Sequence, residues 1–321
     1  MSGLHIEQPG PRATIQDLGR QGYQHHGLSP GGAADLRSFR WANRLLDNDA
    51  NAACLEITLG GLTATATQPL TLALTGADCQ GTVNGAAIPH WGVFRMAKGD
   101  QLRLDRPEVG LLTYLAVAGG WQTRLFCGSR SCVVREGLAG LGQVAADTEL
   151  PARAPDGGHD IHPYLRRTVP EHLRPDLHSD AALPLMAGPE YDTFSAIDQA
   201  RLLGARYTIS GRSDRMAYRL EGPALVSPGG ITSRAITCGS VQVPGDGKPM
   251  VLLNDRQTIG GYPVVGTVPR LDCGRLAQRR PGQPVSFALA DVANCQAERM
   301  LFERLIDMTT WSPTGTPIRK V

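Results

Sequence analysis

Lysine is almost missing from this sequence. Lys98, Lys248 and Lys320 are the only three among 32 Lys and Arg residues, so candidates for a phosphate-binding lysine are confined to them. No apolar run approaches the roughly 20 residues that a membrane-crossing helix needs. The longest candidate, Leu111 to Ala118, is interrupted by Thr113 and Tyr114, and no membrane partner is expected. Nor is there an excess of charge of one sign. With 19% charged residues and a net charge of +2, nucleic acid is not expected as the main partner. The opening Met1-Ser-Gly-Leu-His-Ile-Glu7 lacks the basic and apolar parts of a signal peptide, so a cytoplasmic location is expected. G-x-G-x-x-G, H-E-x-x-H and G-x-S-x-G do not occur, which excludes a self-sufficient nucleotide site of a familiar kind.

Seven cysteines are present, an odd number, and they are scattered. Cys127 and Cys132 lie closest together, at a spacing that suits neither a zinc knuckle nor a redox C-x-x-C. Reduced, buried thiols are expected throughout. His159, His162, His172 and His178 cluster in sequence with irregular spacing and no neighbouring cysteine. They read as solvated residues of a connection, and no metal site is expected.

What the chain does have is an internal repeat. Its 321 residues, 41% of them hydrophobic, suffice for two domains of about 150 residues each. The first half carries Leu4-x-Ile6, Gly10-Pro11, Thr14-Ile15, Arg20-x-x-Tyr23-x-x-x-Gly27, Ser29-Pro-Gly-Gly32, and Ala97-Lys-Gly-Asp-x-Leu102-x-Leu104. The second repeats these markers in order: Leu183-x-Leu185, Gly188-Pro189, Thr208-Ile209, Arg215-x-x-Tyr218-x-x-x-Gly222, Ser227-Pro-Gly-Gly230, and Arg280-Pro-Gly-Gln-x-Val285-x-Phe287. A common order across two halves points to a duplicated domain. Short alternating runs such as Leu62 to Thr67, Leu70 to Leu74, Gln101 to Leu104 and Val285 to Leu289 are separated by Gly, Pro, Asn and Asp clusters. They read as many short strands, hence barrels or sandwiches. Two helices are expected, Ala33 to Leu46 with Asp35 near its start, and Ala290 to Met308. In the second, Val292, Met300, Leu301, Leu305 and Met308 are available for docking. The expected organisation is therefore a mainly β chain with an N-terminal barrel domain over 1–146, a Pro- and His-rich linker over 147–182, a C-terminal barrel domain over 183–290, and a helix and tail over 291–321.

Three polar stretches can carry chemistry. Asn254-Asp-Arg-Gln-Thr-Ile-Gly-Gly-Tyr-Pro263 follows a buried-strand pattern at Met250 to Leu253. It offers an acid/base candidate in Asp255, an anion clamp in Arg256, an orienting amide in Gln257, and glycines that admit a ligand close to backbone. It also fits an ordinary loop whose polar groups satisfy its own backbone. Gly211-Arg-Ser-Asp-Arg-Met-Ala-Tyr-Arg219 can hold a planar anion between its guanidiniums, or form surface ion pairs worth little. Val241-Gln-Val-Pro-Gly-Asp-Gly-Lys-Pro249 looks like a phosphate loop but lacks its spacing, and Pro249 cannot continue a helix. A hairpin turn is the better account of it.

At these motifs the sequence resembles the allophanate hydrolase subunit 2-like family, also described as biotin-dependent carboxyltransferase-like. The matching stretches run from about Gly10 to Phe287: Ile15-Gln-Asp-Leu-Gly-Arg20, Gly31-Gly-Ala-Ala-Asp35, Tyr114-Leu-Ala-Val-Ala-Gly-Gly120, Ser213-Asp-Arg-Met216 with Tyr218-Arg-Leu-Glu-Gly222, Val241-Gln-Val-Pro-Gly245, and Asp255-Arg-Gln-Thr-x-Gly-Gly-Tyr-Pro263. The resemblance implies two cyclophilin-like β-barrel domains. It also implies membership of an ATP-dependent 5-oxoprolinase, with partner subunits of the B and A types, a lactam substrate, and ATP with Mg at a site shared with a partner. On that basis Asp255, Arg256 and Arg215 are the expected catalytic residues. Gln242, Gln257, Ser213, Asp214, Gly260, Gly261 and Tyr262 are the expected substrate contacts. The family also admits two alternatives. One is a carboxyltransferase component of a biotin-dependent urea or amide carboxylase, although this chain has no Met-Lys-Met context for attached biotin. The other is a non-catalytic regulator that binds a kinase inhibitor similar to the B-type partner.

Overall fold

The structure is a computed structural model and describes residues 3–138, 140–153, 164–312, 315 and 317–319. His159 and His162 lie outside the described residues. Two compact units form, each discontinuous in sequence. The first comprises the residues up to Gly19, Asp35–Leu177 and Phe302 onward; the second comprises Arg20–Ala34 and His178–Leu301. The chain is mainly β, with four α-helices among the described residues: α1 (Leu36–Leu45), α2 (Ala196–Gly204), α3 (Arg270–Ala277) and α4 (Val292–Met308).

The first unit holds two six-stranded sheets. In one, Gly3–Pro9 lies between Thr148–Pro151 and Leu62–Ala66, followed by Gln101–Leu104, Thr82–Val83 and Ala86–Ala87. In the other, the order is Gln143–Val144, Arg12–Gln16, Cys54–Thr58, Leu112–Val117, Leu70–Gly76 and Gly92–Met96. The alternation read from the sequence is the cause. In Leu62–Ala66 and Gln101–Leu104 every second side chain is buried, so one face meets the core and the other does not. Leu112–Val117 is buried on both faces. Leu4, Ile6, Ile15, Leu55, Leu74, Leu104, Leu115 and Trp121 belong to one contiguous core. The expected linker is corrected at its start: Thr148–Pro151 is a strand paired in register with Gly3–Ile6, and Leu150 is buried. Its apolar signal is one leucine between Glu149 and Pro151, too short for a local pattern to reveal.

Helix α1 begins later than the sequence suggested. Asp35 is not inside the helix but caps it, its carboxylate accepting from the Ser38 N–H at 3.2 Å and the Ser38 hydroxyl at 2.6 Å. Helix α4 buries Phe302 and Ile306 and leaves Met300 and Leu301 exposed.

In the second unit a single eight-stranded sheet runs Pro284–Val285, Tyr207–Ile209, Ala217–Glu221, Met250–Leu252, Ser240–Gln242, Val264–Thr267, Leu183–Ala187, Phe287–Leu289. Its two edge strands are separated in the chain by Ser286 alone, so the sheet curls round to form a nearly closed barrel. Leu183, Leu185, Tyr207, Ile209, Leu220, Val241, Val251, Val265 and Phe287 fill it. The paired markers in the two halves do not have the same secondary structure. Tyr218 lies in a strand, whereas Tyr23 leads into the 3-10 turn Gln24–His26, where Gly22 and Gly27 adopt φ of +84° and +78°.

Candidate functional site

Ser240–Gln242 and Met250–Leu252 pair antiparallel, Val241 opposite Val251 and Gln242 opposite Met250. The run Val243 to Pro249 is thus a hairpin turn, as its sequence suggested. Gly247, at φ +73°, closes it, and Lys248 pairs with Glu221. The Asn254–Tyr262 stretch leaves the end of Met250–Leu252, and Ile259–Gly260 pairs with Arg234–Ala235.

Asn254, Asp255 and Arg256 are all buried. The Asp255 carboxylate takes two bonds from Arg215, Nε to Oδ2 at 3.0 Å and Nη2 to Oδ1 at 3.1 Å. The same Arg215 Nη2 donates to the Gly32 carbonyl at 2.7 Å. The Asn254 amide donates to the carbonyls of Gly31, Gly32 and Ala33 at 3.2, 2.7 and 2.9 Å. Ser29 donates from its hydroxyl to the Arg256 carbonyl at 2.8 Å. A strap, Ser29–Ala33, is therefore fastened over this loop by side chains and by the Gly31 N–H donating to the Asn254 carbonyl at 3.2 Å, with no strand pairing. Arg256 donates from Nε to the Ile236 carbonyl at 3.3 Å and from Nη1 to the Leu253 carbonyl at 3.4 Å. Burial pulls its guanidinium pKa below the ordinary value.

The remaining expected contacts divide in two. Ser213 and Asp214 serve their own turn. The Ser213 hydroxyl accepts from the Arg219 N–H at 3.0 Å, and Asp214 Oδ1 accepts from the Met216 and Ala217 N–H groups at 2.8 and 3.2 Å. The local cause is the hairpin between Tyr207–Ile209 and Ala217–Glu221, whose reversal leaves these N–H groups without ladder partners. Gln257 and Tyr262 are exposed, Gly261 is half-buried, and Gly260 is buried. Gln242, only 1% exposed, has no partner for its Nε2. That atom lies against Gly260, where an added Cβ would come within 2.7 Å of it. The structure thus brings Asp255, Arg215 and Arg256 together as a buried set, places Gln242 beside Gly260, and puts Gln257 and Tyr262 on the surface of the same loop.

Two features escape sequence reasoning. Asn254 carries three bonds to the strap, and nothing in its local pattern marks it. In the first unit a polar cleft of about 210 Å³ is lined by residues that include Asp17, Asn51, Gln122 and Arg130. There Asp17 accepts from the Ser129 and Ser131 hydroxyls, both at 2.6 Å, and from the Arg130 N–H at 2.6 Å.

The second unit is thus a near-closed barrel with a buried acid–guanidinium pair in the loop that leaves a strand end. The family model described as carboxyltransferase domain, subdomain A and B, matches residues 26–289, and the chain belongs to that family. It is 36% identical to the C-type subunit of 5-oxoprolinase from Escherichia coli (strain K12), an alignment spanning 96% of this chain and 98% of that protein. It is 31% identical to the C-type 5-oxoprolinase subunit of Haemophilus influenzae, over 92% of this chain and 94% of that one. Among solved structures it resembles the Kluyveromyces lactis urea carboxylase with a TM-score of 0.88 at 23% identity, over 95% of this chain but 29% of that one, a likeness of fold. It also resembles TTHA0988 with a TM-score of 0.76 at 32% identity, over 90% of this chain and 55% of that one. No helix among the described residues is long and apolar enough to cross a membrane.

Proposed function

We propose that this chain works as a component of an ATP-dependent 5-oxoprolinase, which opens 5-oxo-L-proline to L-glutamate while ATP is cleaved to ADP and phosphate, in company with subunits of the A and B types. The observation that carries this reading is the end-to-end likeness to the C-type 5-oxoprolinase subunit of Escherichia coli, at 36% identity over 98% of that protein. A lactam is resonance-stabilised and resists water, so its opening calls for an activated oxygen and a site that orients the ring. In this reading Asp255 and Arg215 are positioning residues, because each satisfies the other while they hold the loop. Arg256 supplies positive potential from beneath. Gln257, Tyr262 and the Gly260–Gly261 backbone form the face that meets the ring. The Gln242 carboxamide supports the assignment, since a buried N–H donor without an acceptor costs about 1–3 kcal/mol until a ligand oxygen supplies one.

ATP, when bound, supplies the phosphoryl group that makes the lactam oxygen a leaving group. Among the described residues no group of three His, Cys, Asp or Glu can hold a metal ion, and Lys248 is engaged by Glu221. We assign the binding of Mg-ATP to a surface completed by a partner. A second reading, a carboxyltransferase component acting on a urea-like amide, draws support from the family description and from a 25% identical urea amidolyase of Saccharomyces cerevisiae, which this chain matches over 18% of its length. The deciding experiment mixes the purified chain with candidate A- and B-type subunits and measures ADP release that depends on 5-oxoproline. Release that vanishes when this chain is left out supports the first reading. Intact 5-oxoproline and no ADP removes it, and carboxylation of urea by added carboxybiotin carrier would then establish the second.

A further inference from the structure

The polar cleft of the first unit has no part in the proposed reaction, and its polar groups are only half used. One side of it is the Gly119–Gly120 bend, with φ of +80° and +75°. The Gln122 amide ties both glycine carbonyls, donating to each at 2.9 Å. Trp121 anchors the bend in the core, its indole N–H donating to the Leu115 carbonyl at 3.0 Å. A Cβ on Gly120 would come within 3.0 Å of the Ala52 side chain, so glycine lets the turn at 49–53 close against the bend. The space, about 210 Å³, holds several waters or one free amino acid.

Three charged side chains line the cleft: Asp17, Asp49 and Arg130. Asp17 is fully employed. It is buried and accepts from the Ser129 and Ser131 hydroxyls and from the Gly19 and Arg130 N–H groups. The Arg130 guanidinium meets neutral groups, Nη1 donating to the Thr123 carbonyl at 2.8 Å and Nη2 to Gln122 Oε1 at 3.3 Å. These bonds fix it in place, and among the described residues no carboxylate pairs with it. Asn51 Oδ1 accepts from the Leu18 N–H at 2.8 Å. That bond sets the orientation of the amide and leaves its NH2 group without a described partner. Asp49 Oδ1 accepts from the Asn51 N–H at 2.7 Å, and its Oδ2 is uncommitted. The cleft therefore offers a positioned cation, a carboxamide donor and a carboxylate oxygen, beside the exposed side chain of Leu125.

We propose that this cleft binds a free α-amino acid in its zwitterionic form. Arg130 and the Asn51 NH2 take its carboxylate, Asp49 takes its ammonium, and an apolar side chain lies against Leu125. Charge selects the zwitterion. The lining carries two carboxylates and one guanidinium, so a bare anion meets net negative charge, and a bare cation leaves Arg130 unanswered. A ligand with both charges answers both, through charge-assisted hydrogen bonds, which are the strong kind. The inference is independent of the proposed function, because every lining residue belongs to the first unit and the ligand need not be a reactant.

The test is calorimetric titration of the full chain with L-leucine, beside two analogues that each lack one charge, 4-methylpentanoate and 3-methylbutylamine. L-Leucine should bind, and each analogue should bind at least about tenfold more weakly, since each forfeits hydrogen bonds to a charged group. Asp49→Asn keeps an acceptor for the Asn51 N–H and should weaken L-leucine by about 10- to 100-fold. Arg130→Gln should do the same, with an unchanged thermal midpoint to show that the fold survives. If that variant unfolds, Asp49→Asn alone decides. No binding of L-leucine at millimolar concentration, an analogue that binds as tightly as L-leucine, or binding that Asp49→Asn leaves unchanged overturns the proposal.

Discussion

Removal of Arg215 tests how the candidate site is built. The Arg215 and Asp255 side chains are only 9% and 4% exposed, so water screens their attraction little. Arg215→Ala removes two bonds to the carboxylate and one to Gly32. It takes from the buried Asp255 the guanidinium that meets both its oxygens, and breaking a buried pair costs about 3–5 kcal/mol, against at most about 1 kcal/mol for an exposed pair. The Gly32 carbonyl is not left alone, because Asn254 also donates to it. The loss therefore belongs to the broken buried pair, and taking away both charges should recover most of it. Urea unfolding of the isolated chain should show Arg215→Ala down by about 3–5 kcal/mol, and thermal unfolding a midpoint lower by about 10 °C for a unit of this size. Arg215→Met with Asp255→Leu should stand within about 1–2 kcal/mol of wild type. A single variant within about 1 kcal/mol of wild type, or a double variant as unstable as the single, would refute the reasoning.

Asn254→Ala should loosen the strap while sparing the barrel, because the Gly31, Gly32 and Ala33 carbonyls each lose one donor, Gly32 and Ala33 keeping Arg215 and Arg270. Amide exchange over 29–34 should quicken, with global stability down by roughly 1–3 kcal/mol; unchanged exchange there counts against the anchoring role. Gly260→Ala puts a methyl 2.7 Å from Gln242 Nε2 and should displace that side chain, raising KM for 5-oxoproline in the assembled complex more than it lowers kcat, whereas equal kinetics would show that Gln242 does not touch the ring. Asp198 is held below the usual carboxylate range chiefly by the Ser195 hydroxyl, helped by the Val226 N–H and Arg201 against burial. A folded pKa below the unfolded one adds stability above the unfolded pKa, and that stability is lost as pH falls through the folded value. Asp198→Asn should accordingly flatten the acid side of the stability profile, and a profile parallel to wild type between about pH 5 and 2 contradicts this.

Short-range pattern is legible in the sequence, and long-range pairing is not. Leu62–Ala66 and Gln101–Leu104 declare themselves as strands because alternate residues face one core. Helix α1 is legible within two or three residues. Its start is obscured because Asp35 reads equally as a first-turn residue and as a cap, and only the Ser38 contacts decide. The Arg20–Ala34 segment carries the same markers as Arg215–Gly230, yet it supplies the strap while the later stretch forms the strand Ala217–Glu221. Turn residues fix where a chain can bend, and the segment's partner is chosen by carbonyls that Asn254 and Arg215 reach from more than 180 residues away. At the site, residue types are legible and their employment is not. Ser213 and Asp214 look like anion ligands in sequence because a turn and a ligand draw on the same oxygen acceptors. The approach of Cys273 to Gly239 has no sequence signature at all, since it depends on Gly239 letting α3 come close to the strand that follows.

The burial of Asp255 bears on how the loop can serve a ligand. A carboxylate that takes a proton from substrate must be within reach of it, and Asp255 is buried with both its oxygens bonded to one guanidinium. The same pair that fastens the strap through Gly32 fixes the backbone from which Gln257, Gly260 and Tyr262 project. Under the proposed function its charges act on a ligand through geometry. A substitution that keeps the bidentate pattern should preserve turnover even when it shifts the acid by a methylene, and one that keeps the carboxylate but loses the guanidinium should not. Asp255→Glu with the strap still protected from exchange, set beside Arg215→Lys with the strap released, separates positioning from proton transfer, because a general base would be far more sensitive to the first change than to the second.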